Sequence, residues 1–195
     1  MDNADIELMC KDADGGCNLE LKNEELKKHE AICNFRKVPC NDTSCDEMIV
    51  VSKVDKHINE EHQNSFKMNN THFELFFENN VLEDEYLDHA LMVWTNEKGK
   101  TFYPQIYKKS DLWYFWIKAL MNPKAAGSFE ITAEVKNKIT GFKMMYNGPV
   151  ISIDLTVEEV LKTGHYLLMN RYIVEKLVAA RDKEDSDVNF NFDIK

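Results

Sequence analysis

Two stretches of the chain alternate apolar and polar side chains with a period of two. Phe129, Ile131, Ala133 and Val135 face one way, and Glu130, Thr132, Glu134 and Lys136 the other. Near the end, Val188, Phe190, Phe192 and Ile194 alternate with Asn189, Asn191 and Asp193. This is the period of a strand half-buried against a core. Further short β-rich runs lie at 73–77, 91–95, 101–108, 112–121, 142–146 and 150–153. Turn signals at 96–99, 122–123 and 147–149 separate them. The run Leu112-Trp113-Tyr114-Phe115-Trp116-Ile117 is apolar on both faces. It predicts a central strand covered on both sides rather than an aromatic ligand box. Seven or eight short strands at this spacing predict an antiparallel β-sandwich across 63–195.

Two helical patterns interrupt the strands. Thr156 is a natural cap for 157–163, with Glu158 and Glu159 in the first turn and Gly164 as the stop. Asn170 is placed to cap a second helix running to about residue 181, and the charged run 181–187 reads as a solvated turn.

The first 62 residues have a different grain. A polar leader covers 1–9. Leu19 and Leu21 mark one short strand, and 48–51 another. Asn23, followed by Glu24 and Glu25, predicts a helix start; Ser52 with Asp55 predicts a second, of capping-box type. Segment 63–70 reads as a linker or an edge strand. Neither N-terminal unit has enough apolar side chains to bury a core of its own.

Charge and composition narrow the function. The chain of 195 residues has a net charge of -10 and no apolar run near the ~20 residues of a membrane helix. Residues 1–62 hold eight Lys and Arg against fifteen Asp and Glu. A finger that binds DNA or RNA needs a cationic footprint on the phosphates, so nucleic acid is not the expected partner, and neither is a membrane. There is no P-loop, no dinucleotide fingerprint and no Gly-x-Ser-x-Gly elbow. The acidic N-terminus does not resemble a signal peptide, which points to a reducing, cytoplasmic or nuclear compartment.

All five cysteines and three of the six histidines fall between residues 10 and 62. The spacing is Cys10-x6-Cys17-x11-His29-x3-Cys33, then Cys40-x4-Cys45-x11-His57-x4-His62. Cys17 to His29 repeats as Cys45 to His57, at an offset of 28 residues. Five cysteines cannot all pair as disulfides, whereas two matched sets of four Cys/His ligands suit two tetrahedral zinc ions. Four protein ligands leave no open coordination position, so both ions are expected to be structural. The units are 10–33 and 40–62. His29 and Cys33, four apart, are expected on one helical face; His57 and His62, five apart, on a helix end that unwinds.

These residues resemble a known family. The twin spacing, the phrase His29-Glu30-x-x-Cys33-Asn34-Phe35-Arg36 and the closing His57-x4-His62 look like the zinc-finger pair of the seven in absentia (Siah/Sina) proteins. Downstream, Tyr114-Phe115-Trp116-Ile117, Val150-Ile151-Ser152-Ile153-Asp154 and 187–192 are similar to strands of that family's TRAF-like domain. The resemblance implies two zinc fingers followed by a TRAF-like β-sandwich with two helical inserts. It implies the substrate-binding part of a RING-type ubiquitin-protein ligase, usually a homodimer, whose partners are degron-bearing substrates or adaptor proteins. The family's RING is not in this sequence, because no cysteines remain to build one. Either a ubiquitin-conjugating enzyme is recruited by a RING supplied elsewhere, or the chain is a RING-less adaptor that pairs with a relative and competes for its targets. By carry-over from the family, an extended degron adds as a strand along Phe66, Lys67 and Met68, beside a pocket of Leu87, Asp88, His89 and Leu91. His89 stands where the family has a tryptophan.

Overall fold

The computed structural model describes residues 6–42, 45–62, 66–68, 72–75, 92–95, 99–178 and 188–195. The chain forms two compact units, Met1–Gln63 and Asn64–Lys195. No helix among the described residues is long and apolar enough to cross a membrane.

The first unit is built twice from a hairpin and a helix. Strands β1 (Glu7–Met9) and β2 (Glu20–Lys22) pair antiparallel and lead into helix α1 (Asn23–Glu30). Strands β3 (Lys37–Pro39) and β4 (Met48–Val50) pair likewise and lead, through a 3-10 turn at Val51–Lys53, into α2 (Val54–Glu61). The halves join through backbone bonds from the N–H of Val51 to the Arg36 carbonyl and from Ser52 to Asn34. The helix starts differ from expectation. Lys22 and Lys53 occupy the cap positions, neither with a side-chain cap bond, while Asn23 is already helical and Ser52 lies in the 3-10 turn. α1 also stops at Glu30, so Cys33 does not share its helical face with His29. The chain instead tightens there, with the Ile32 N–H donating to the His29 carbonyl.

The second unit is a β-sandwich. One sheet has the order β11-β10-β14-β6: Lys143–Pro149, Glu130–Asn137, Val188–Ile194 and His72–Leu75. These pairings are all antiparallel. The other sheet runs β12-β9-β8-β7-β5: Ile151–Ser152, Leu112–Ala119, Thr101–Lys109, Met92–Thr95 and Phe66–Met68. A sixth strand, β13 (Leu167–Asn170), also pairs with β9. One edge of β9 is therefore shared. β13 runs antiparallel along Leu112–Phe115, and β12 runs parallel along Lys118–Ala119. β5 against β7 also runs parallel, so among the described residues the expected antiparallel sandwich forms with two parallel pairings.

β9 is covered on both faces, as its sequence predicts. Trp113, Phe115, Ile117 and Ala119 point into the core between the sheets, against Ile131, Ala133 and Val135 of β10 and Phe192 of β14. Tyr114 and Trp116 point outward into a second cluster with Ile151, Leu155, Val160 and Leu161. That cluster lies under α4 (Val157–Thr163), and the buried Trp116 Nε1 donates to Gln105 Oε1 at 2.7 Å. α4 begins with the expected cap: Thr156 Oγ1 accepts from the Glu159 N–H, and the Glu159 carboxylate accepts from the Thr156 N–H. It ends at Gly164, whose φ of 73° is left-handed and open to glycine without strain. Asn170 caps α5 (Arg171–Val178) by accepting from the Ile173 N–H. A third, four-residue helix, α3 (Pro123–Ala126), is capped by Asn122 and was not expected. α5 is pinned by buried Asn137, which donates to the Leu177 carbonyl and accepts from the N–H groups of Ile139 and Thr140.

Candidate metal centres

Each hairpin of the first unit closes a loop that carries two cysteines. The Cys10 N–H donates to the Leu19 carbonyl, and the Cys40 N–H to that of Glu47. Across each loop, the second cysteine donates its N–H to an aspartate carbonyl: Cys17 to Asp12 at 3.3 Å, Cys45 to Asp42 at 3.0 Å. Both aspartates lie two residues after the first cysteine. The first loop is two residues longer and takes up the excess as a 3-10 turn at Ala13–Gly15, then Gly16 at φ 111°. Gly16 is needed twice over: its φ is left-handed, and a Cβ would stand 3.1 Å from the Phe35 ring. Phe35 thereby packs against the cluster of Cys10, Cys17, Leu26 and Cys33. Next to it, the buried Arg36 guanidinium donates to the Cys33 carbonyl at 3.0 Å.

The helices bring the remaining ligands across. Cys10, Cys17, His29 and Cys33 converge in one group, and Cys40, Cys45, His57 and His62 in a second. In each, the ligating atoms all lie within 4.8 Å of one another. In the first, Cys10 Sγ and Cys33 Sγ are 3.9 Å apart, and Cys17 Sγ and His29 Nε2 3.2 Å. In the second, the two Nε2 atoms of His57 and His62 are 3.0 Å apart. Cys40 Sγ is 3.3 Å from His62 Nε2, and Cys45 Sγ 3.7 Å from His57 Nε2. With zinc arms of about 2.3 Å to sulfur and 2.0–2.1 Å to nitrogen, tetrahedral edges come to roughly 3.8 Å for S–S, 3.6 Å for S–N and 3.4 Å for N–N. The observed separations cluster around those edges. His62 reaches the site because it has left the helix: it follows Glu61 with φ -114° and ψ 61°.

The electrostatics agree with the geometry. Burial pushes the Cys10 thiol up to about 11, against the pull of the Asp12 backbone N–H; neighbouring cysteines raise it further. Burial pushes Cys40 up to about 12, again opposed by the Asp42 backbone N–H, with Cys45 adding to the rise. Thiolates packed this closely need a compensating dication, and zinc supplies it. The chain thus carries two Cys/His groups suited to zinc, one Cys3His and one Cys2His2. Each uses all four positions for protein ligands, the pattern of a structural ion.

The sequence reasoning missed two side chains at the second centre. His62 Nδ1 lies 2.8 Å from Asp42 Oδ2, and His57 Nδ1 3.4 Å from Glu47 Oε2. The repeated Cys-x-Asp of Cys10–Asp12 and Cys40–Asp42 was the signal available for the first of them. The proposed peptide groove divides. The backbone of Phe66, Lys67 and Met68 forms the terminal strand β5. Leu87, Asp88, His89 and Leu91 lie outside the described residues.

Compared with models of protein families, residues 3–76 match the Sina zinc finger. A search of curated proteins finds no match.

Proposed function

We propose that the chain is the substrate-recognition module of a Siah-type ubiquitin-protein ligase. It takes up degron segments of target proteins by β-strand addition and directs those proteins to ubiquitination and proteasomal degradation. The observation that carries this reading is the order of parts. Two Sina-type metal centres end at His62, and the strand β5 begins at Phe66. Among the described residues β5 pairs along one side alone, in parallel with β7, through Phe66↔Met92 to Met68↔Trp94. A free sheet edge offers its N–H and C=O groups to an extended peptide, and alternate side chains of that peptide then enter pockets that set specificity. The pocket in this proposal is Leu87, Asp88, His89 and Leu91. The sandwich is the TRAF-like domain of that family and the site of homodimerisation.

A second reading has its own support. All five cysteines belong to the two centres, so this sequence holds none of those a RING requires. Ubiquitin transfer then requires a RING that these 195 residues do not include. A chain that pairs with a RING-bearing relative can also act as an adaptor or competitor, holding the same targets without transferring ubiquitin.

The test is binding of a labelled peptide with a Val-x-Pro core to the zinc-loaded chain, with Met68→Lys as the comparison. Saturable binding that the substitution reduces to background is expected. A folded, zinc-replete protein that does not bind overturns the receptor reading. Sedimentation of the same sample reports whether the chain dimerises.

A further inference from the structure

We infer that Asp42 is a positioning residue of the second metal centre, holding the His62 imidazole so that Nε2 faces the ion. Three contacts converge on it. Its carboxylate lies 2.8 Å from His62 Nδ1, with both side chains mostly buried, 22% and 11% exposed. Its backbone N–H donates to Cys40 Sγ at 3.5 Å. Its carbonyl accepts from the Cys45 N–H at 3.0 Å. One residue thereby links three of the four ligands.

The tautomer follows from the geometry. His62 Nε2 points at Cys40 Sγ and at His57 Nε2, so Nε2 is the donor atom for the metal. The proton then sits on Nδ1, which donates a hydrogen bond to the Asp42 carboxylate. A carboxylate behind a ligating imidazole fixes the ring plane and makes the metal-facing nitrogen more basic. Glu47 stands behind His57 in the same sense, but at 3.4 Å and 69% exposed, so it contributes less.

The first centre provides the internal control. Asp12 occupies the matching place after Cys10 and makes the same backbone closure with Cys17. Its carboxylate has no imidazole to hold; the contact it makes is with Cys10 Sγ, at 3.9 Å. The fourth ligand there is Cys33, a sulfur that needs no ring orientation. Charge accounts for the difference. Three thiolates and one imidazole already overcompensate a dication, whereas two thiolates and two imidazoles only neutralise it. Asp42 adds a negative charge behind a ligand set that is neutral with the dication.

The experiment measures zinc affinity of the full chain by chelator competition, with the imidazole nitrogens followed by heteronuclear NMR. Asp42→Ala is expected to weaken one of the two zinc ions by about 10–100-fold and to abolish protection of the His62 Nδ1 proton. Asp42→Asn, which keeps an acceptor without the charge, is expected to fall between Ala and the wild type. Asp12→Ala is expected to leave both affinities nearly unchanged. Equal losses from Asp12→Ala and Asp42→Ala would assign the effect to the loop backbone and overturn the inference. So would wild-type affinity in Asp42→Ala, or a zinc-loaded wild type whose His62 binds through Nδ1.

Discussion

Lys118 is an ammonium placed where the fold disfavours one. It sits on the outer side of β9, 3% exposed, with Nζ donating to the Leu155 carbonyl at 2.7 Å. Burial lowers its pKa from 10.5 to about 8, and the Glu159 carboxylate on α4 recovers part of that loss. The interval corresponds to about 3 kcal/mol at 1.36 kcal/mol per pH unit. Its sign is set by the direction of the shift. Below pH 8 both folded and unfolded chains carry the proton, and the folded state bears the whole cost of burying it. Between pH 8 and 10.5 the unfolded chain binds more protons than the folded one, so stability rises with pH. Above 10.5 the cost is gone. Lys118→Met removes the titration but leaves the Leu155 carbonyl without its donor, a loss of about 1–3 kcal/mol. The two terms nearly offset at neutral pH, so a measurement at pH 7 alone decides nothing; the pH dependence does. Urea unfolding followed by tryptophan emission is suited to the purpose, because Trp94, Trp113 and Trp116 are the three tryptophans of the chain and all lie in the second unit. Tyr114 and Tyr146, both raised by burial, titrate in both proteins and cancel in the difference. Wild type should gain on Lys118→Met by about 3 kcal/mol between pH 8 and 10.5. Parallel stability curves across that interval would refute the argument.

Three further outcomes follow from the geometry. Cys33→Ser and His57→Ala each remove a ligand from one group, and each should lower bound zinc from two ions per chain to one by atomic emission; undiminished zinc in both would refute the ligand sets. Asn137→Ala loses the bond that ties α5 to the β10–β11 hairpin at the Leu177 carbonyl, together with the turn bonds from Ile139 and Thr140, which should cost about 2–3 kcal/mol by urea unfolding. A change within error would show that the clamp is dispensable. Thr156→Ala should cost about 1 kcal/mol, whereas Thr156→Ser, which keeps the hydroxyl cap of α4, should be near neutral; equal losses would trace the effect to the threonine methyl group instead.

The features legible in the sequence are those with a local physical cause. Ligand spacing is one: the second cysteine of each set precedes its histidine by twelve residues, and that interval holds a strand and a helix in both halves. Strand alternation is another, since a period of two already states which face of β10 or β14 is buried. The caps at Thr156 and Asn170 were legible because a side chain there bonds a backbone three residues away. What stayed hidden depends on residues far apart in the chain. β13 has four residues, too few to establish a period, and exists because the edge of β9 is available to it. The parallel placement of β12 and β5 is a matter of where connections return. The helix α1 was expected to reach Cys33, but closure of the metal site tightens the chain after Glu30. The sequence supplies Asp42 and His62, twenty residues apart. Only the folded finger sets carboxylate against imidazole, because the hairpin carries one to the centre and the end of α2 carries the other.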